Sequence, residues 1–164
     1  MGFAVDNKKA KKFEILVFDF IKQCGLEPRY NEKKEDLAYY DIVVDNPHIT
    51  FEVKADFMSS LTGNLAIEHH NCKKDKPSGI MISTATYWCH VIYEEKVPTI
   101  YIADRLELLK FIEDVEPYKK IIAGGDSNAN LYLYKKAVLL GEYNSDKPLQ
   151  KMSVEQFKEI INVV

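Results

Sequence analysis

The sequence predicts an α/β (α+β) domain in which a mixed central β-sheet is flanked by helices. Three observations lead there. Apolar residues recur at helical spacing near the N-terminus, β-rich runs crowd the middle of the chain, and two later segments open on helix caps with a further β-rich run between them. At 164 residues the chain fits a single domain, residues 1–164, and can bury a real core.

The elements follow in order. From Lys8 to Cys24, the residues Phe13, Val17, Phe20, Ile21 and Cys24 share a helical face, and Gly25 stops the helix. Leu37 to Lys54 reads as strand, turn and strand. MSSLTGN, from Met58, is a loop, and LAIEHH is a short strand. A polar loop from Lys73 to Gly79 leads to three β-rich runs, IMIST, YWCHVIY and PTIYIA. Asp104 caps the helix RLELLKFIEDV, with Leu106 and Leu109 turned inward and Leu108 and Ile112 as further inward candidates. AGGDSNAN is a loop whose Gly124 and Gly125 permit close backbone approach, without the lysine of a phosphate loop. LYLYKKAVLL is a late strand, and Ser153-Val154-Glu155-Gln156 is a capping box for the last helix.

Composition excludes several classes. The chain is 46% hydrophobic, 29% charged and 12% aromatic, as in folded soluble domains. No apolar run approaches the ~20 residues that span a bilayer, so no membrane partner is expected. MGFAVDNKKAKKF is basic but lacks the apolar stretch of a signal peptide, and Asp6 stands where a myristoylation signal requires Ser or Thr. Cys24, Cys72 and Cys89 are odd in number and widely spaced, which argues for a reducing compartment. A cytoplasmic protein is the expectation.

His69, His70 and Cys72 could supply zinc ligands, but no second Cys or His pair stands at a familiar spacing, and a polar strand end is the better reading. The net charge of −3 announces no nucleic-acid partner. Locally, lysines cluster at 8, 9, 11 and 12, at 73, 74 and 76, and at 119, 120, 135 and 136. These are either phosphate contacts or solvated faces. Trp88, Tyr87 and Tyr93 read as core, whereas Ser78, Ser83, Thr84 and Tyr87 are candidates for phosphate or sugar contacts.

The stretch YDIVVDNPHITFEVK concentrates the chemistry. A hairpin with Val44 opposite Ile49 carries Asp41 opposite Glu52, and strand alternation adds Lys54 to that face while Phe51 and Val53 pack the other way. Pro47 cannot take the positive φ of a tight two-residue turn, so the loop must be longer. Two carboxylates beside an ammonium repel unless a divalent cation joins them. Magnesium suits such an oxygen-only site.

Asp41, then Glu52-Val53-Lys54 on the next strand, resembles the core motif of the PD-(D/E)xK nuclease superfamily, which includes restriction endonucleases and Holliday-junction resolvases. Tyr40 stands where the weakly kept proline would be. The resemblance implies a restriction-endonuclease-like core, a helix followed by a mixed sheet bearing the site. It implies Mg²⁺, with Mn²⁺ able to substitute, held by Asp41 and Glu52, and Lys54 acting on water or on transition-state charge. It also implies an acid from the first helix, Glu14 or alternatively Asp19; for Glu14 a solvated helix glutamate is the rival reading. The run TGNLAIE, then PSGI and STA, is similar to small phage-encoded members. There Glu68 shares a strand face with Asn64 and is either a further metal or water ligand or a partly exposed strand glutamate.

The expected function is metal-dependent hydrolysis of DNA phosphodiesters by an endonuclease that reads DNA structure or acts without strong sequence preference. Symmetric cutting of two strands would suggest a homodimer, and a phage-encoded member would work in the host cytoplasm. Two rival readings stand beside it: a non-catalytic nucleic-acid-binding or assembly module on the same fold, and a hairpin whose charges form an ordinary surface salt bridge.

Overall fold

The computed structural model describes residues 2–33, 35, 37, 39–122 and 128–162, with residues 2–7 by backbone alone. In chain order, α1 (Gly2–Gln23) leads to β1 (Pro28–Tyr30), β2 (Ile42–Val44) and β3 (Ile49–Asp56). A short α2 (Ser59–Thr62) precedes β4 (Asn64–Asn71) and β5 (Lys76–Pro77), and a 3-10 turn (Gly79–Met81) follows. Then come β6 (Tyr87–Glu94), β7 (Val97–Asp104), α3 (Arg105–Asp114), β8 (Lys119–Ile121) and β9 (Ala129–Lys135). The short α4 (Lys136–Leu139), β10 (Leu140–Glu142), β11 (Leu149–Lys151) and α5 (Val154–Asn162) complete the order.

The mixed α/β class is as expected, but the strands form two sheets. Among the described residues one sheet has seven strands, β1-β2-β3-β6-β7-β11-β10, and the other four, β5-β4-β9-β8. In the larger sheet β3 runs parallel to β6, and β10 to β11. The expectation of one central sheet is thereby corrected: β4, β8 and β9 leave it and pair with one another.

Alternation along the strands builds two cores. Phe51 and Val53 of β3 and Cys89 and Val91 of β6 face Phe13, Val17 and Ile21 of α1 and Phe157 and Ile161 of α5. Trp88 and Ile92, on the other face of β6, pack with Leu65 and Ile67 of β4, Tyr134 of β9, and Leu108 and Ile112 of α3. Burial on both faces accounts for the near-continuous apolar run of β6.

Local chemistry sets the element ends. Gly25, at φ +82°, ends α1 in the left-handed conformation that favours glycine. Glu95 and Lys96, at φ +47° and +69°, make the two-residue turn joining β6 to β7. The Asp104 carboxylate accepts from the N–H groups of Leu106 and Glu107 at 2.9 and 3.0 Å, as a cap should. Ser153 and Gln156 close their box with bonds of 2.8 and 3.2 Å.

Three readings change. In α3 the buried pair is Leu108 and Ile112, four residues apart, while Leu106 is exposed. IMIST is no strand; Gly79, at φ +55°, starts a 3-10 turn that buries Ile80. LYLYKKAVLL is divided between β9, α4 and β10, because the chain there crosses from the smaller sheet to the larger. Gly124 and Gly125 lie outside the described residues. None of the described helices is long and apolar enough to cross a membrane.

Candidate active site

The site begins at the β2–β3 hairpin. Val44, Val43 and Ile42 pair with Ile49, Thr50 and Phe51, the register expected from the sequence, across the four-residue turn Asp45–His48. The ladder departs from that register at Asp41. Its N–H donates to the Phe51 carbonyl at 2.8 Å, one residue off the Ile42–Phe51 rung. Asp41 is therefore not a fourth rung facing Glu52. Beyond the end of β2 the Val53 N–H has no strand partner there and donates instead to Asp41 Oδ2 at 2.7 Å. Asp41 caps the edge of β3.

Asn31, which periodicity leaves unremarked, holds this arrangement. Its N–H donates to the Asp41 carbonyl at 2.8 Å, and its buried amide donates to the Tyr40 carbonyl at 3.0 Å.

Glu52 is only 5% exposed. Its Oε1 pairs with Lys54 Nζ at 2.5 Å, while its Oε2 is buried with no hydrogen-bond partner among the described residues. Lys54 Nζ also lies 5.5 Å from the Trp88 ring centroid. An acceptor without a donor in a buried place is costly. It is also what a cation would meet.

Glu14 and Glu68 approach from two other elements. Glu14, half-buried on α1, pairs with Lys11 at 2.6 Å, and its charge acts on both Asp41 and Glu52. Asp19 is exposed and acts on Tyr30 instead. Glu68 sits half-buried on the face of β4 opposite Leu65 and Ile67, and its charge reaches Glu52 and Lys54. A side chain on Gly79 would collide with the Glu68 carbonyl, so glycine there lets the 3-10 turn press against β4.

The electrostatics reflect this crowding. Burial and then the Glu52 charge push the Asp41 carboxyl up to about 7, against the pull of the Val53 N–H and Lys54. Burial also raises Glu52, with Lys54 opposing and Glu68 and Glu14 adding to it. Burial works against the Lys54 charge, yet Glu52, with Asp41 and Glu68 behind it, holds the ammonium above the ordinary lysine value. Asp41 and Glu52 thus sit among the charges of Glu14 and Glu68, with Lys54 on Glu52 and Lys11 on Glu14 as the counter-charges.

The donor set is hard oxygen, which fits magnesium rather than zinc. Among the described residues no three His, Cys, Asp or Glu side chains form a ready-made metal-holding group. Magnesium commonly takes one or two carboxylates and fills its octahedron with water and phosphate oxygens. Asp41 and Glu52 fit that requirement. The zinc alternative has other uses for its groups: His69 stacks on Tyr132 at 3.8 Å, His70 meets Asp75 at 3.2 Å, and the Cys72 thiol donates to Asn130 at 2.7 Å.

Beside the site lies a cavity of about 470 Å³ lined by Lys54, Glu68 and the floor residues Asp56 and His90. The Asp56 carboxylate accepts from the N–H groups of Ser59 and Ala66 at 3.0 Å and meets His90 Nε2 at 3.3 Å. His90 Nδ1 in turn accepts from the Trp88 indole at 3.4 Å. Burial opposes the Asp56 charge, but these bonds hold its carboxyl below the usual range. The signal in the sequence is period two: Glu52, Lys54 and Asp56 alternate with apolar residues.

The hydroxyl candidates are largely corrected. Ser78, Ser83 and Tyr87 are buried, and Thr84 alone of the four is exposed. The Ser83 hydroxyl donates to the Tyr39 carbonyl at 2.9 Å, tying down the loop before β6. Trp88 is fully buried and Tyr93 packs against the first core, as expected. Comparison with protein-family models, curated proteins and solved structures finds no match.

Proposed function

We propose that the chain is a magnesium-dependent deoxyribonuclease, an endonuclease that reads DNA structure or cuts without strong sequence preference, on a restriction-endonuclease-like core. One observation supports this above others. Glu52 is buried with one oxygen on Lys54 and the other without a donor among the described residues, beside an Asp41 whose carboxyl is pushed to about 7. A divalent cation held there would relieve this excess of negative charge.

In the reaction a water oxygen bonds to phosphorus, one P–O ester bond breaks, and a phosphomonoester and a hydroxyl remain. Asp41 and Glu52 would hold Mg²⁺ or Mn²⁺, which when bound lowers the pKa of water and polarises the phosphoryl group. Lys54, kept charged by Glu52, lies beside the space the phosphate would enter and offsets the charge that grows there. Glu68, lining the same cavity as Lys54, holds the attacking water by hydrogen bond. Glu14 adds negative potential that favours the cation.

Incubation with supercoiled, linear and branched DNA, in magnesium, manganese or EDTA, tests the reading. Cleavage is expected with either metal and none in EDTA. Intact DNA under every metal condition would sink it.

A further inference from the structure

Cross-strand pairing gives the smaller sheet one face that runs away from the candidate site in three rows. Glu68 pairs with Leu131 and Leu131 with Ile121; Ala66 pairs with Leu133 and Leu133 with Lys119; Asn64 pairs with Lys135. Directly paired residues share a face. Each row is therefore a strip across that face, and from Glu68 to Asn64 the face extends roughly 13 Å at the usual strand rise.

The rows change character along that length. At the first, Glu68 stands near Lys54, and both line the 470 Å³ cavity. Ala66, Leu131, Leu133 and Ile121 line the cavity with apolar surface, and Phe57 and Met58 line it too. At the far rows stand the exposed Lys119 and Lys135, the latter 3.7 Å from the Tyr118 ring centroid. Asn64 lines the cavity as well, and its Oδ1 has no hydrogen-bond partner among the described residues. The carboxylate in these rows, Glu68, is at the end where the cation is proposed.

A ligand that matches this face is anionic along its length, carries flat apolar groups, and offers hydrogen-bond donors on their edges. A nucleic-acid strand with its bases turned out has this chemistry, since every base presents a π-face and its phosphates pair with lysines. A stacked duplex keeps its bases inside and leaves the cavity empty.

We propose that this face is the track for one unpaired DNA strand. A base leaves the stack and seats in the apolar cavity, Asn64 accepts from its edge, and Lys119 and Lys135 take the neighbouring phosphates. The inference rests on the nuclease reading only for its direction: the phosphate next to the seated base would be the one cut at Glu52 and Lys54.

Fluorescence anisotropy with a labelled oligonucleotide, single-stranded or annealed to its complement, tests this in EDTA, where no cleavage intervenes. A 2-aminopurine base in the strand reports unstacking. The wild type should bind the single strand at least about 10-fold more tightly than the duplex, the lower part of what one stacked base contributes. Ala66→Phe, which fills the cavity, should erase that preference and the 2-aminopurine signal. The pair Lys119→Glu and Lys135→Glu, on exposed side chains that leave the core intact, should weaken single-strand binding about 10-fold or more and flatten its salt dependence. Equal affinity for strand and duplex, or unchanged binding by the lysine pair, would overturn the proposal.

The two readings separate in the same experiment with magnesium added. Cleavage with no strand preference defeats the track and leaves the nuclease standing. Cavity-dependent strand binding without cleavage defeats the nuclease and leaves the track.

Discussion

The Val53 N–H donates to Asp41 Oδ2 at 2.7 Å, so the carboxylate that finishes the edge of β3 is also the one crowded by Glu52. A backbone requirement fixes Asp41 where its own charge is unwelcome. Stability and metal affinity should therefore move in opposite directions with pH.

The sign follows from linkage. An acid raised to about 7 in the folded chain, against about 4 unfolded, takes up a proton on folding over that interval. Its contribution to stability is full below about pH 4 and is lost as pH rises through about 7. In EDTA, wild-type Tm should fall between pH 5 and 8 more steeply than that of Asp41→Asn, which keeps an oxygen for Val53. Magnesium should raise wild-type Tm increasingly over the same range and leave Asp41→Asn unmoved. Parallel pH profiles for the two proteins would contradict the assignment.

Titration calorimetry checks the metal. Magnesium and manganese should bind the wild type, and Glu52→Gln should weaken both at least about 10-fold by removing one of two charged ligands. Tight zinc binding that disappears on changing His69, His70 or Cys72 would instead locate the metal elsewhere.

Lys54→Ala leaves Glu52 buried without its partner. The stability loss in urea should be about 1–3 kcal/mol, below that of a fully buried pair because a third of the Lys54 side chain is exposed. Added magnesium should shrink the deficit, since the cation replaces the lost positive charge. A deficit indifferent to magnesium would separate Glu52 from the metal.

Asp56→Ala strips the acceptor from the Ser59 and Ala66 N–H groups and from His90. A loss of roughly 2–4 kcal/mol is expected in urea, as partial relaxation softens three unmet donors. Magnesium affinity should stay within about twofold of wild type, because Asp56 accepts elsewhere; a large fall would make it a ligand.

How far the sequence foretold this depends on the range of each signal. The Asp104 cap, the Ser153–Gln156 box and the three hairpin rungs are decided by residues a few positions apart, and they stand as read. The second sheet is decided by pairing between β4 and β9, from Asn71–Ala129 to Asn64–Lys135, far apart along the chain, for which period two carries no address. β1 is three residues with Pro28 at its start, too short for a pattern. At the site, alternation correctly grouped Glu52 with Lys54, but extrapolating the ladder one rung further missed the off-register step at Asp41. His90 was hidden in an apolar run, where its partner Asp56 lies on another strand.

The most direct test is single-turnover cleavage of supercoiled DNA with magnesium, comparing the wild type with Lys54→Ala while metal binding is followed in parallel. Cutting by the wild type, slowed about 10²–10³-fold in the variant with magnesium binding retained, is the predicted result, in line with losing one preorganised electrostatic group. Wild-type rates from Lys54→Ala would contradict the mechanism.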